Sequence, residues 1–140
     1  MIEAKTIVVT ESDPSGVTRF ICDEFSKATG YTENEVLGAL DPTLRHPEMP
    51  KAILAQMQNS LSHRESWRGF VKCRAKDGSY FWAFMTAFRQ NFTLGDGILA
   101  VRAYAFEDEI ERAEKLYAKL LESERRSQGD SRNSAEKKDK

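Results

Sequence analysis

The first 40 residues carry two apolar runs followed by a helical pattern. β-Branched and apolar side chains at 6–10 and 17–21 flank a cluster of turn formers, which predicts a β-hairpin. Two short helices are predicted next, because Gly30 can close the first and Thr32 and Glu35 form a capping box at the start of the second. The chain therefore opens with two strands and two short helices.

A longer helix follows a proline-rich loop. The prolines exclude a continuous helix from that loop, whereas Ile53, Met57 and Leu61 recur at helical spacing and predict an amphipathic helix over 51–63. From Trp67 the apolar spacing changes to two residues, which predicts a strand with one dry face and one wet face.

Three strands are predicted in the second half of the chain. They cover 67–75, 80–89 and 98–106, with a two-residue hairpin signal at Asp77-Gly78 and a loop over 91–97. Two strands, several helices and three long strands favour the α+β class. We expect a five-stranded antiparallel sheet with short helices on one face and a C-terminal amphipathic helix.

The sequence predicts three segments along the chain. We expect a folded domain over 1–106, an amphipathic exit helix over 107–126 and a disordered polar tail over 127–140. The exit helix has an apolar stripe at three- and four-residue steps from Ile110 to Leu120. The tail has no large apolar side chain, so it cannot offset the entropy of ordering.

Composition narrows the possible functions. A chain of 140 residues with a net charge of -1 has the size of one domain and no basic field for nucleic acid. No apolar stretch approaches the ~20 residues of a membrane span, so we expect a cytoplasmic protein. The two cysteines have no metal-site spacing, and no nucleophile has a base nearby, so we expect neither a metal site nor an enzyme.

Several short segments resemble PAS domains. Residues 25–32 (FSKATGYT) resemble the F-x-x-x-(S/T)-G-Y-(T/S) segment that follows the second strand of many of them. Residues 45–50 (RHPEMP) are similar to the RHPDMP signature of PAS domains of bacterial aerotaxis and energy-taxis receptors. Residues 67–72 (WRGFVK) and 76–82 (KDGSYFW) resemble the W-x-G-x-V-K and K-x-G-x-x-Y-W segments of the same receptors.

This resemblance implies a PAS fold and a sensory function. In that family the domain holds FAD, reports the redox state of the electron-transport chain and passes the signal to a chemotaxis module. Arg45, His46, Glu48 and Trp67 stand where the family has pocket and flavin-contacting residues. Arg45 is suited to a phosphate or carbonyl oxygen, Glu48 to a ring donor, and Trp67 to packing against the flavin ring.

The sequence departs from the family at three of its ligand positions. Cys22 and Cys73 replace asparagines, and Gln58 replaces a tryptophan on the long helix. The two cysteines are retained as candidate cofactor-binding positions, and FMN, haem through His46, or no cofactor remain alternatives to FAD. The two cysteines are expected on opposite edges of the sheet, too far apart for a disulfide.

Two functional hypotheses follow. The first is a cytoplasmic flavin sensor of redox or oxygen state that acts in trans on a chemotaxis-type transducer or a kinase, with a homodimer formed through the C-terminal helix. The second is a ligand-free PAS dimerisation or docking module. A haem-binding PAS sensor is a further alternative to both. Segment 38–44 (GALDPTL) lacks the cysteine of photochemical light-oxygen-voltage (LOV) domains, so we do not expect their blue-light chemistry.

Overall fold

The computed structural model describes residues 7–44 and 47–138, with side chains described as far as residue 128. In chain order the elements are β1 (Ile7–Ser12), β2 (Thr18–Ile21), α1 (Asp23–Thr29), α2 (Glu33–Val36), a 3₁₀ turn (Pro42–Leu44), α3 (Lys51–Ser62), β3 (Trp67–Arg74), β4 (Tyr80–Phe92), β5 (Gly95–Tyr104) and α4 (Glu107–Lys138). The order of strands and helices predicted from the sequence is confirmed.

The five strands form one antiparallel sheet. Their spatial order is β2-β1-β5-β4-β3, so the N-terminal hairpin and β3 lie at opposite edges. The chain crosses from one edge to the other through the short helices and α3. Because the crossing segment covers one face, the sheet has an inner face that meets these helices and an outer face.

Alternation along the strands assigns each side chain to a face. On β5, Ala100 and Arg102 are buried on the inner face, whereas Val101 between them points outward. The outer face is incompletely covered, since Ile7 and Phe20 keep about half of their surface exposed, at 51% and 49%. The main hydrophobic core therefore lies on the helical side.

The connection between β4 and β5 is tighter than predicted. We expected a loop over 91–97, but the two strands remain paired up to Phe92 and Gly95, with Asn91 opposite Asp96. The φ angle of Gly95 is 101°, a left-handed value that glycine adopts without steric cost. This allows the chain to reverse over two residues.

The outer face of β3 was predicted to be wet, and Arg68 and Arg74 are exposed there, but Lys72 is not. Lys72 lies on the outer face and is only 8% exposed. Its Nζ donates to Glu48 Oε1 at 3.0 Å and lies 4.1 Å from the centroid of the Tyr80 ring. The aliphatic stem of a lysine can be buried in this way when its ammonium group finds a carboxylate and an aromatic face.

Helix α4 is longer than the sequence predicted. It begins at Glu107 as expected but continues past Arg126 to Lys138. Ala113 and Tyr117 from the predicted stripe are buried against the domain. This helix covers 127–138, where the sequence favoured a disordered polar tail over 127–140. Within the described residues, no helix combines the length and apolar character needed to cross a membrane.

Candidate functional site

A cavity of about 550 Å³ lies between the inner face of the sheet and α3. Small-molecule sites in proteins typically occupy ~300–1,000 Å³ and have mostly apolar walls with a few polar groups. One wall is formed by Leu54, Met57 and Leu61 of α3, and the facing wall includes Met85 and Ile98 of the sheet. The cavity is therefore of a size and character suited to a small organic ligand.

Small side chains on the sheet create this space. Thr10, Ala100 and Ala87 are register partners across β1, β5 and β4, and all three line the cavity. Trp67 is the next residue in this row, on β3. A Cβ on Gly69 would lie 2.7 Å from Cζ2 of Trp67, so the indole extends over a position that only glycine leaves free. The side chains in this row are therefore small on β1, β5 and β4 and large on the edge strand β3.

The inner end of the cavity contains a buried ion pair. Arg102 is 2% exposed, and its Nη2 donates to Asp41 Oδ2 while its Nη1 donates to Thr43 Oγ1 at 2.6 Å. Asp41 Oδ1 accepts from the amide of Thr43 at 2.9 Å and from its hydroxyl at 2.6 Å. The sheet is therefore tied to the 3₁₀ turn that precedes residues 45–50.

The ion pair remains charged despite its burial. Burial alone would raise the pKa of Asp41, but the charge of Arg102 and the hydrogen bonds from Thr43 outweigh it and lower that pKa below its ordinary value. The pKa of Arg102 is raised, because the opposing charge of Asp41 outweighs the effect of burial. The Nε of Arg102 is the one polar atom of the pair with no acceptor among the described residues.

The mouth of the cavity is marked by exposed lining residues. Ser15 in the β1–β2 turn and Gln58 and Ser62 of α3 line the cavity and are exposed to solvent. Thr18 and Arg102 also line it and are buried. A ligand would therefore enter between the β1–β2 turn and the C-terminal half of α3.

The comparison with protein families agrees with this architecture. A family model described as PAS fold matches residues 19–92, which is more than half of the chain. The chain belongs to the PAS family. Its strand order and the cavity beneath the helices are thus those of a PAS domain, and the fold expected from the sequence is confirmed.

Known proteins similar to this PAS domain include signalling proteins. The aerotaxis receptor of Escherichia coli (strain K12) is 33% identical over 118 residues, which cover 82% of this chain and 23% of the receptor. The nitrogen fixation regulatory protein of Klebsiella pneumoniae is 25% identical over 81 residues, covering 58% of this chain and 16% of that protein. The chain spans less than a quarter of either relative.

Solved structures of LOV domains are also similar. One, described as "Flavin Analogue Sheds Light on Light-Oxygen-Voltage Domain Mechanism", superposes with a TM-score of 0.65 at 27% identity, and the match covers 84% of this chain and 87% of that one. The relatives together support a sensory PAS domain related to an aerotaxis receptor and to LOV domains.

The structure separates the residues that the sequence proposed as cofactor contacts. Arg45 and His46 lie outside the described residues. Glu48 is paired with Lys72 and lines a second cavity of about 400 Å³ between the outer face and α4. Trp67 belongs to the core cluster and is absent from the described lining of the main cavity. Their cofactor-binding role remains a prediction.

Both cysteines make contacts within the protein itself. Cys22 Sγ accepts from the amide of Val9 at 3.1 Å, and Cys73 is fully buried in the core. Burial raises the pKa of the Cys73 thiol to about 11, in spite of the nearby charge of Arg102. Neither cysteine is among the described lining residues of the main cavity. They lie near opposite edges of the sheet, as the sequence predicted.

Sequence reasoning missed Asp41 and Arg102. The available signal was the alternation on β5, which places Arg102 on the same face as Ile98 and Ala100. A charged residue at an inward position of a strand requires a buried partner. Asp41, followed by Pro42 and Thr43 in a turn, could then have been proposed as that partner.

Proposed function

We propose that this PAS domain is a cytoplasmic sensor, not an enzyme, that binds a flavin, FAD or FMN, in the main cavity and reports redox or oxygen state to a protein partner. The observation that carries the proposal is the cavity itself, with its row of small residues on the sheet and its polar inner end. The resemblance to aerotaxis-receptor PAS domains supplies the cofactor class.

The cavity residues fit a flat, mostly apolar ring system. Met57 and Leu61 on α3 and Ala87 and Ala100 on the sheet form two opposed apolar walls. Thr10, Thr18 and the Asp41–Arg102 pair add polar groups to the cavity lining, with the ion pair at its inner end. A bound flavin would supply a group whose charge and hydrogen bonding change with its redox state.

A route from the cavity to the surface passes through α3 and α4. Helix α3 lines the cavity, but its N-cap residue Pro50 makes no side-chain capping bond. Instead, Glu124 of α4 accepts a hydrogen bond from the amide of Ala52 at 2.9 Å, in the first turn of α3. A change in the position of α3 therefore alters a contact of α4.

Tyr117 supplies the second contact on this route. Its hydroxyl donates to the carbonyl of Phe70 on β3 at 2.7 Å, and its Oη lies 3.1 Å from Sδ of Met49. Met49 is buried and lies within residues 47–50, immediately before α3. Helix α4 thus contacts the β3 edge of the sheet, Met49 and α3. We expect the signal to leave the domain through this helix, to a transducer or kinase in trans or to a second copy of the chain.

A pair of substitutions on one strand tests where a flavin binds. Ala100→Leu places extra side-chain volume inside the cavity, whereas Ala103→Leu adds the same volume on the outer face of β5. We expect Ala100→Leu to weaken flavin binding by at least about tenfold and Ala103→Leu to leave it unchanged, since only the first competes for the space. Fluorescence titration gives the affinities, and circular dichroism confirms folding.

Wild-type affinity in the folded Ala100→Leu variant would show that the flavin is not held in this cavity. Failure of FAD and FMN to bind the wild-type protein would favour the second candidate, a ligand-free docking module. The exposed apolar side chains on the outer face, Ile7 and Phe20, are the observation that favours that alternative.

A further inference from the structure

Two arginines share one carboxylate near the mouth of the main cavity. Arg64 follows α3, Arg89 lies on β4, and Asp96 lies on β5. The Nη2 atoms of Arg64 and Arg89 lie 2.9 and 3.1 Å from the same oxygen, Oδ2 of Asp96. The hydrogen bond from Arg89 and the charge of Arg64 lower the pKa of Asp96, which keeps it ionised. One negative charge therefore faces two positive charges.

This Arg64–Asp96–Arg89 cluster adjoins the cavity. Arg89 is itself a lining residue, as are Leu61 and Ser62 in the last turn of α3. Nη1 of Arg89 donates to the carbonyl of Leu61 at 3.4 Å, which fixes the guanidinium beside the end of this helix. The side chain of Arg64 is 52% exposed, and within the described residues its only bond is the one to Asp96. A guanidinium carries five donors, so most of those of Arg64 face solvent.

The other charged groups near the mouth do not neutralise the net positive charge of the Arg64–Asp96–Arg89 cluster. Arg19 is paired with Glu11 at 2.9 Å. Asp13, on the opposite rim, accepts hydrogen bonds from the amide and hydroxyl of Ser15 in its own turn. Glu65 is exposed, and within the described residues no ion pair joins it to either arginine of the cluster.

We propose that the Arg64–Asp96–Arg89 cluster binds the phosphate group of the ligand that occupies the cavity. The ligand is then a phosphate ester whose ring lies between α3 and the sheet and whose tail leaves past Ser62. Guanidinium groups suit this task, because their parallel N–H donors match two phosphate oxygens. The inference rests on the proposed flavin function and adds to it the chemical class of the tail and the residues that recognise it.

Three flavins that differ in this tail test the proposal. After removal of any copurified flavin, the full-length protein is titrated with riboflavin, which has no phosphate, with FMN, which has one, and with FAD, which has two. We expect FMN and FAD to bind at least about tenfold more tightly than riboflavin, and added sodium chloride to reduce this difference. Arg64→Gln should remove most of the difference while leaving the riboflavin affinity unchanged.

Two further variants separate phosphate recognition from general damage to the fold. Asp96→Asn removes the competing carboxylate, so we expect FMN to bind more tightly even where the variant is less stable. Arg68→Gln removes the same charge from the opposite face of the sheet and should change nothing. A third variant, Arg89→Gln, also loses the bond to the Leu61 carbonyl, so Arg64→Gln and Asp96→Asn decide the test where Arg89→Gln is less stable.

The outcomes of these titrations distinguish failure of the phosphate site from failure of the flavin function. Equal affinity of the wild-type protein for riboflavin and FMN, or an unchanged FMN affinity in Arg64→Gln, would overturn the phosphate site while leaving a flavin cavity in place. Failure of all three flavins to bind would overturn the proposed flavin function and this inference with it.

Discussion

At the scale of single residues, the feature that most shapes the site is the buried pair of Asp41 and Arg102. Removing two charges from water costs several kcal/mol for each ion, and this cost is offset only when the geometry and the remaining hydrogen bonds are good. Here Thr43 supplies those additional bonds to both partners. The pair therefore joins the 3₁₀ turn to the sheet at the inner end of the cavity.

Asp41→Asn should destabilise the protein by about 3–5 kcal/mol at pH 7, because it leaves the buried guanidinium of Arg102 without its counter-charge. The pKa of Asp41 is lowered in the folded state, so its contribution is fully present above the unfolded pKa of about 4 and is lost as the pH falls through the folded value. Urea denaturation should therefore show a constant difference from pH 7 to about 5 that narrows below about pH 4.

The double variant Asp41→Asn with Arg102→Met provides the control. Removing the unpaired charge should restore part of the lost stability, as expected when the cost comes from an uncompensated ion. A single Asp41→Asn variant within about 1 kcal/mol of wild type, or with the same difference at every pH, would contradict this assignment.

The contacts of individual side chains were the hardest features to predict from the sequence. Trp67 was correctly expected on a buried face, but the sequence does not show that its indole covers Gly69. Lys72 was expected in solvent, because strand alternation alone cannot reveal that Tyr80 and Glu48 lie beside it. Contacts between distant segments depend on packing, which spacing along one element does not encode.

At the scale of elements, α4 and α3 depend on each other. The N-cap position of α3 is Pro50, which has no side-chain acceptor, so the first turn of α3 is completed by Glu124 from another helix. Tyr117 holds α4 against the edge strand β3. These two contacts make α4 sensitive to the region around the cavity.

Tyr117→Phe should lower the free energy of unfolding by about 1–2 kcal/mol and reduce the protection of α4 amides against hydrogen exchange. The substitution keeps the edge-to-face ring contact with Trp82 but leaves the Phe70 carbonyl without its donor. Urea denaturation and hydrogen-exchange mass spectrometry measure the two effects.

Tyr104→Phe is the matched control. Its ring packs against Phe81, and no hydrogen bond of its hydroxyl is found within the described residues. We expect a change below about 0.5 kcal/mol and no effect on α4. Equal behaviour of the two variants would show that Tyr117 does not anchor α4 through its hydroxyl.

Elements were predicted well where local signals are strong. The capping box of Thr32 and Glu35 and the left-handed Gly30 at the end of α1 both occur as expected. The predicted loop over 91–97 was wrong, because polar and glycine residues there remain paired as strand. The end of α4 also differs, since helical hydrogen bonding within one segment can continue beyond its last apolar contact.

At the scale of the whole molecule, the two faces of the sheet have different characters. The inner face and α3 enclose the cavity, with the Asp41–Arg102 pair at one end and the Arg64–Asp96–Arg89 cluster near the mouth. The outer face leaves Ile7 and Phe20 exposed and carries α4 at the β3 edge. This separation suits a domain that holds a ligand on one side and meets proteins on the other.

The most direct test of the flavin proposal is the absorbance spectrum of the freshly purified protein, with mass identification of any molecule released on denaturation. The account predicts flavin absorption bands, or their appearance with saturable binding after reconstitution with FAD or FMN. A Soret band would indicate haem in place of flavin. A colourless protein that binds neither FAD nor FMN would contradict the account and favour a docking module.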